Sequence, residues 1–209
     1  MEPKDAGARI IWLKSTESTN SELRRHLDDV DNLSIIATEE QTAGRGQGDH
    51  SWYSRPGQSL TFSILYRFDG EHTLLAGDAL LITQLTTLAI LDYLRGKGVE
   101  ARIKWPNDIW VDGRKICGIL IENALSAGRI LESIAGIGLN INETLWPTEL
   151  PNPVSLREIT GRSYDLRTEL ETLHKKICRR FGSLASPDGR KSLQEEFGNF
   201  VFRLPGGPQ

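Results

Sequence analysis

Apolar positions along this chain gather into short runs of β type on either side of one long, almost uniformly apolar stretch. Residues 10–13, Ile-Ile-Trp-Leu, predict a short strand, and a polar segment over 15–21 leads into a helix ending near Leu27. Residues 33–37 predict a buried strand. After a glycine-rich polar stretch over 41–58, residues 59–66 (Ser-Leu-Thr-Phe-Ser-Ile-Leu-Tyr) predict another strand, from their β-branched and aromatic content. Residues 76–95 predict a helix that is apolar on most faces, hence a buried central one, closing at Gly96 and Gly98.

From 101 to 142 the pattern becomes a β-meander. Residues 101–104 predict one strand, 109–111 and 115–122 flank the tight-turn pair Asp112-Gly113, and 130–141 supply another. Pro147, Pro151 and Pro153 then break the regularity. Leu166, Leu170, Leu173, Ile177 and Phe181 recur at helical spacing, and a short helix is expected over 191–197. No regular βαβ alternation is present, so the expected class is α+β, a mixed and largely antiparallel sheet packed against helices.

Composition narrows the function classes. The 209 residues carry 25 Lys+Arg against 28 Asp+Glu, a net charge of −3, which excludes a strongly basic nucleic-acid scaffold. Cys117 and Cys178 have no Cys-x-x-Cys spacing, so neither a disulfide framework nor a zinc ribbon is indicated, and reduced cytoplasmic thiols are the expectation. The N-terminus has no secretory pattern, and no stretch reaches the roughly 20 apolar residues of a membrane span.

Four segments carry candidate chemistry. In residues 41–52, Gly44, Gly46 and Gly48 alternate around Arg45, and Trp52 follows. Such a loop brings backbone amides close to an anion, and Arg45 adds a planar cation. A surface loop whose glycines serve turns fits equally well. In the second segment, Lys104-Trp105-Pro106-Asn107-Asp108, an amide and a carboxylate stand at a strand end, suited to a hydroxyl or to Mg²⁺. Lys115 follows in Gly113-Arg114-Lys115-Ile116-Cys117-Gly118; regular hairpin alternation would set Lys115 and Cys117 on one face, Ile116 and Gly118 on the other. Turn formers and a solvated lysine are the plain alternative. In the third segment, Gly136 and Gly138 lie inside a predicted strand, which marks either a close approach or a β-bulge. In the fourth, Ser18-Thr19-Asn20 precedes a helix and reads as an N-cap when taken alone.

Taken together and in this order, the four segments resemble biotin protein ligases, over about residues 14–142. The resemblance rests on Ser18-Thr19-Asn20, residues 41–46 with Trp52, Lys104 through Asp108, Arg114 through Leu120, and Gly136-Ile137-Gly138-Leu139-Asn140. It implies a catalytic domain related to class II aminoacyl-tRNA synthetases, spanning 1–204 with a tail over 205–209. It implies ATP-dependent activation of biotin to biotinyl-AMP and transfer to a lysine of a biotin carrier domain, with Mg²⁺ accompanying ATP. Lys115 and Arg45 would be catalytic. Ser18, Thr19, Asn20, Gln41, Gly44, Arg45, Gly46, Gln47, Lys115, Gly118, Gly136 and Gly138 would hold biotin. Arg45, Trp52, Asn107, Asp108 and Asn140 would hold ATP, with Asp108 near the metal. A homodimer is compatible with the resemblance, whereas nucleic-acid and membrane partners are not expected.

Relatives commonly have a basic residue where this chain has Gln47, and another near His50, so the expected lid is less basic. The helix-turn-helix and the SH3-like domain that flank the catalytic domain in many relatives are not expected here. Two other readings use the same residues: a lipoate or octanoate ligase or transferase of the same fold, and a binding module without catalysis.

Overall fold

The computed structural model describes residues 7–46, 48 and 51–203. Gln47, His50 and the 205–209 tail lie outside the described residues.

Strands β1 (Ile10–Thr16), β2 (Ile35–Gln41), β3 (Ser59–Arg67), β4 (Leu74–Leu75), β5 (Arg102–Lys104), β6 (Asp108–Val111), β7 (Arg114–Ser126), β8 (Arg129–Asn140) and β9 (Val201–Phe202) form one sheet among the described residues. Its order is β1-β2-β3-β8-β7-β6-β5-β9, with β4 on β8. Only β1–β2 and β5–β9 pair in parallel, so the expectation of a mixed, largely antiparallel sheet holds. The helices are α1 (Thr19–Arg25), α2 (Leu80–Arg95), α3 (Leu156–Thr160), α4 (Leu166–Gly182) and α5 (Pro187–Phe200).

Alternation along β3 explains the layers. Leu60, Phe62 and Ile64 point to one face, where they join Ile137 and Leu139 of β8 and the buried helix α2 in the main core. Thr61 and Ser63 point to the other face. There a smaller cluster, Leu23, Val30, Ile36, Leu65 and Ile134, seats α1 at one end of the sheet and leaves the rest of that face open. α2 is buried almost all round, as its uniform apolarity predicts, but it begins at Leu80 behind a 3₁₀ turn over Ala76–Asp78.

The Asp112-Gly113 turn forms as expected, with φ of 47° and 75°, the left-handed pair a tight hairpin needs. The facing of Lys115 differs from the regular alternation. Ile109 pairs with Cys117 while Trp110 pairs with Lys115, so a bulge shifts the register. Cys117 is buried in the helix-side core, whereas Lys115 reaches the open face shared with Gly118. Two helical features escaped the periodicity. α3 is a five-residue helix with a Ser155/Glu158 capping box, hidden among prolines. α5 starts at Pro187, four residues early, because Ser186 caps it and proline suits the first turn. No described helix is long and apolar enough to cross a membrane.

Candidate functional site

The open face of the sheet becomes a cleft of about 640 Å³ because three strands bring glycines and small polar side chains together at its floor. Pairing sets Thr61 beside Gly138 and Gly138 beside Gly118, and likewise Ser63 beside Gly136 and Gly136 beside Leu120. Glycine is required at two of these positions. A Cβ on Gly136 would stand 2.3 Å from Asn20 Oδ1, and one on Gly138 would stand 2.1 Å from Trp52 Cε2. The register is continuous through both, so close approach, not a bulge, accounts for them.

Ser18 occupies the N-cap position of α1, yet its hydroxyl makes no capping bond, which leaves it available to the cleft. Thr19 and Asn20 are buried and form a wall. Gln41 Oε1 accepts from the Thr19 N–H at 2.9 Å. Ser63 Oγ lies 2.7 Å from Thr19 Oγ1 and 2.5 Å from Asn20 Oδ1. Asn20 Nδ2 donates to Glu122 Oε2 at 2.8 Å.

At the other end, Lys115 Nζ stands 2.7 Å from Asp108 Oδ1 and 5.9 Å from the Trp52 ring centre. The backbone fixes Lys115 on both sides: its N–H donates to Asn152 O at 2.7 Å, and its carbonyl accepts from Val154 N–H at 3.0 Å. Lys104 and Arg203 also line this end, so cations collect where Asp108 is the nearby carboxylate. Burial pushes the adjacent Cys117 thiol well above its ordinary range, which removes it as a thiolate nucleophile.

The cleft brings together Ser18, Thr19, Asn20, Gln41, Arg45, Gly46, Trp52, Asn107, Asp108, Lys115, Gly118, Gly136 and Gly138. Gly44 does not line it. A Cβ there would meet Trp52 O at 2.6 Å, so this glycine lets the two arms of the loop close on each other. Asn140 does not line the cleft either: its Nδ2 donates to Val154 O at 3.0 Å, bracing the segment that holds Lys115. Asn107 donates to Ile119 O and ties the 104–108 turn to β7. Arg45 Nη2 stands 3.5 Å from Glu122 Oε1, at the wall end of the cleft, not beside Lys115.

Sequence reasoning missed Ser63, Glu122, Thr61 and Arg203. Ser63 and Thr61 had a signal in the polar-apolar alternation of β3. Arg203 depends on the two-residue strand β9, whose pairing with β5 has no such signature.

The profile of the biotin/lipoate A/B protein ligase family matches residues 12–142. The chain is 32% identical over 171 residues to the bifunctional ligase/repressor BirA of Bacillus subtilis, covering 76% of this chain and 49% of that protein. It is 28% identical over 172 residues to the biotin–[acetyl-CoA-carboxylase] ligase of Paracoccus denitrificans, covering 80% and 70%. Among solved structures, the biotin protein ligase of Aquifex aeolicus in complex with biotin and ATP aligns with a TM-score of 0.76 at 26% identity, covering 93% of this chain and 78% of that one. The chain spans about half the length of the Bacillus relatives it matches.

Proposed function

The chain belongs to the biotin/lipoate A/B protein ligase family, and on that premise we propose that it joins biotin to ATP to form biotinyl-AMP and passes the biotinyl group to a lysine of a biotin carrier domain. The observation that carries this reading is the polarity of the cleft. A neutral, hydrogen-bonding wall of Ser18, Thr19, Asn20 and Gln41 stands at one end, and the Lys115–Asp108 pair stands at the other. The wall suits a ureido ring, which offers both donors and an acceptor. A linear acyl chain would gain nothing from it.

Activation requires a carboxylate to attack an α-phosphate, so two anions must meet. The Lys115 ammonium offsets their repulsion and the charge that develops at the phosphate. Its fixed backbone and its bond to Asp108 hold it ready, so little reorganisation is needed. The carboxylate–phosphorus bond forms as the bond to pyrophosphate breaks. In the second step a neutral lysine amine of the carrier attacks the mixed anhydride carbonyl, and AMP leaves. Trp52, with Arg45 and Gly46, lines the cleft where the reactive anhydride would form and would limit water there.

Among the described residues no group of three or more His, Cys, Asp or Glu side chains is placed to hold a metal. Asp108 is a single carboxylate. That fits a Mg²⁺ ion carried in by the nucleotide phosphates, with Asp108 as its protein contact, where it would neutralise phosphate charge. The free thiols Cys117 and Cys178 support a cytoplasmic setting.

Incubation with biotin, ATP, Mg²⁺ and a carrier domain tests the reading. A covalent mass increase on the carrier with matching pyrophosphate release is expected, and absence of both overturns it. Light scattering on the same preparation tests for a homodimer.

A further inference from the structure

We propose that Ser63 and Glu122 are positioning residues that decide which end of each wall side chain is offered to the ligand. Counting protons fixes the orientation of each group. Glu122, a carboxylate with only acceptors, lies 2.8 Å from one end of the Asn20 amide, so that end is the NH₂. The other end is therefore the oxygen, and it lies 2.5 Å from Ser63 Oγ. A serine hydroxyl has one proton, and it must go to this oxygen. Ser63 then has only lone pairs left for Thr19 Oγ1, 2.7 Å away, so Thr19 donates its own proton to Ser63. The longer 3.3 Å approach of Thr19 Oγ1 to Gln41 Oε1 loses that proton, and Gln41 Oε1 is already served by the Thr19 N–H.

The chain Thr19→Ser63→Asn20→Glu122 leaves Thr19 Oγ1 with acceptor capacity toward the cleft. That matches a ureido N–H. Reversing the chain would turn Thr19 into a donor facing another donor. A buried amide can flip, and apart from Glu122 only the Leu120 carbonyl, at a long 3.5 Å from Asn20 Nδ2, opposes reversal. The carboxylate of Glu122 prevents it. Ser63 is sealed from water at 0% exposure, so no solvent can rescue a mismatched bond at its hydroxyl. Arg24 Nη2, 3.2 Å from Glu122 Oε2, and Arg45 Nη2, 3.5 Å from Glu122 Oε1, pair with that carboxylate and hold it in place.

This inference rests on the reading of the cleft as a biotin site, and its test separates the two. Biotin binding is measured by calorimetry without ATP, and KM values for biotin and ATP are measured separately. Glu122→Leu is expected to weaken biotin and desthiobiotin at least tenfold and leave the ATP KM within twofold. Glu122→Gln, which can still accept from Asn20 Nδ2, restores most of that loss. Ser63→Ala follows Glu122→Leu. Unchanged biotin affinity in Glu122→Leu, equal losses for biotin and ATP, or no rescue by glutamine overturns the inference. A wild-type protein that binds no biotin overturns the reading beneath it instead.

Discussion

Lys115 Nζ lies 2.7 Å from Asp108 Oδ1, across a hairpin whose bulge turns the lysine toward the open face of the sheet. Without that register shift, Lys115 would share a face with Cys117, which is sealed under the helices. The bulge is thus what converts a hairpin lysine into a cleft lysine.

Lys115→Ala should slow biotinyl-AMP formation by a factor on the order of 10²–10³, the usual cost of losing one preorganised electrostatic group. The melting temperature should stay within a few degrees, since the side chain is 34% exposed. Pyrophosphate release in a single turnover checks this, and a normal rate would remove Lys115 from the chemistry.

Gly136→Ala should raise the biotin KM at least tenfold with little change for ATP. Its new Cβ would stand 2.3 Å from Asn20 Oδ1, which Ser63 and Glu122 hold from both sides, so the wall cannot give way cheaply. Overpacking of this kind costs roughly 1–3 kcal/mol. Far-ultraviolet circular dichroism should be unchanged while steady-state kinetics separate the two substrates.

How far the site was legible depended on which partners touched. Ser18, Thr19, Asn20, Gln41 and Lys115 stood out as motif residues, and the fold gathers them in one cleft. The glycines of β8 were legible as a close approach or a β-bulge, and the structure decides for approach, by Asn20 and Trp52 from elsewhere in the chain. Ser63 and Glu122 look like ordinary members of alternating strands, and only the pairing of β3, β8 and β7 sets both beside Asn20. Asn140 shows the opposite case: its motif position suggested the nucleotide, and its structural position adds a bracing bond to the backbone beside Lys115 that the motif did not signal. The long helices were plain in periodicity, whereas β4 and β9, two residues each, form only because a sheet edge is there to receive them.

Acid should weaken the fold through Glu143. Its side chain is fully buried, and burial alone would raise its pKa. A two-pronged bond from Arg55 and the N–H groups of Thr144 and Leu145 outweigh burial and hold it below the usual glutamate value. Above about pH 4.3, the ordinary value in an unfolded chain, the stabilisation is fully present. As pH falls below that, the unfolded chain takes up a proton that the folded one refuses, and stability declines until the folded carboxylate is protonated too. Urea denaturation between pH 3 and 7, an interval of about that width around the ordinary value, should show an acid limb that flattens in Glu143→Gln.

Arg180 should matter to stability and not to ligand choice. From α4 its guanidinium grips Asp92 of α2 at 2.8 and 2.9 Å and also reaches Glu196 of α5, so one side chain ties three helices behind the sheet. Arg180→Met keeps much of the stem's apolar contact but leaves two carboxylates without their shared cation. Both are partly hydrated, at 21% and 30% exposure, so the cost is well below that of a sealed charge, about 2 kcal/mol. For a chain of this size that corresponds to a melting temperature lower by roughly 4–8 °C. The cleft lies on the far face of the sheet, and the main core stands between it and this clamp. The biotin and ATP KM values at 25 °C, well below the melting range of an ordinary domain at about 45–65 °C, should therefore match wild type. A shift in the biotin KM comparable to that of Gly136→Ala would show instead that the helical layer shapes the wall through the sheet.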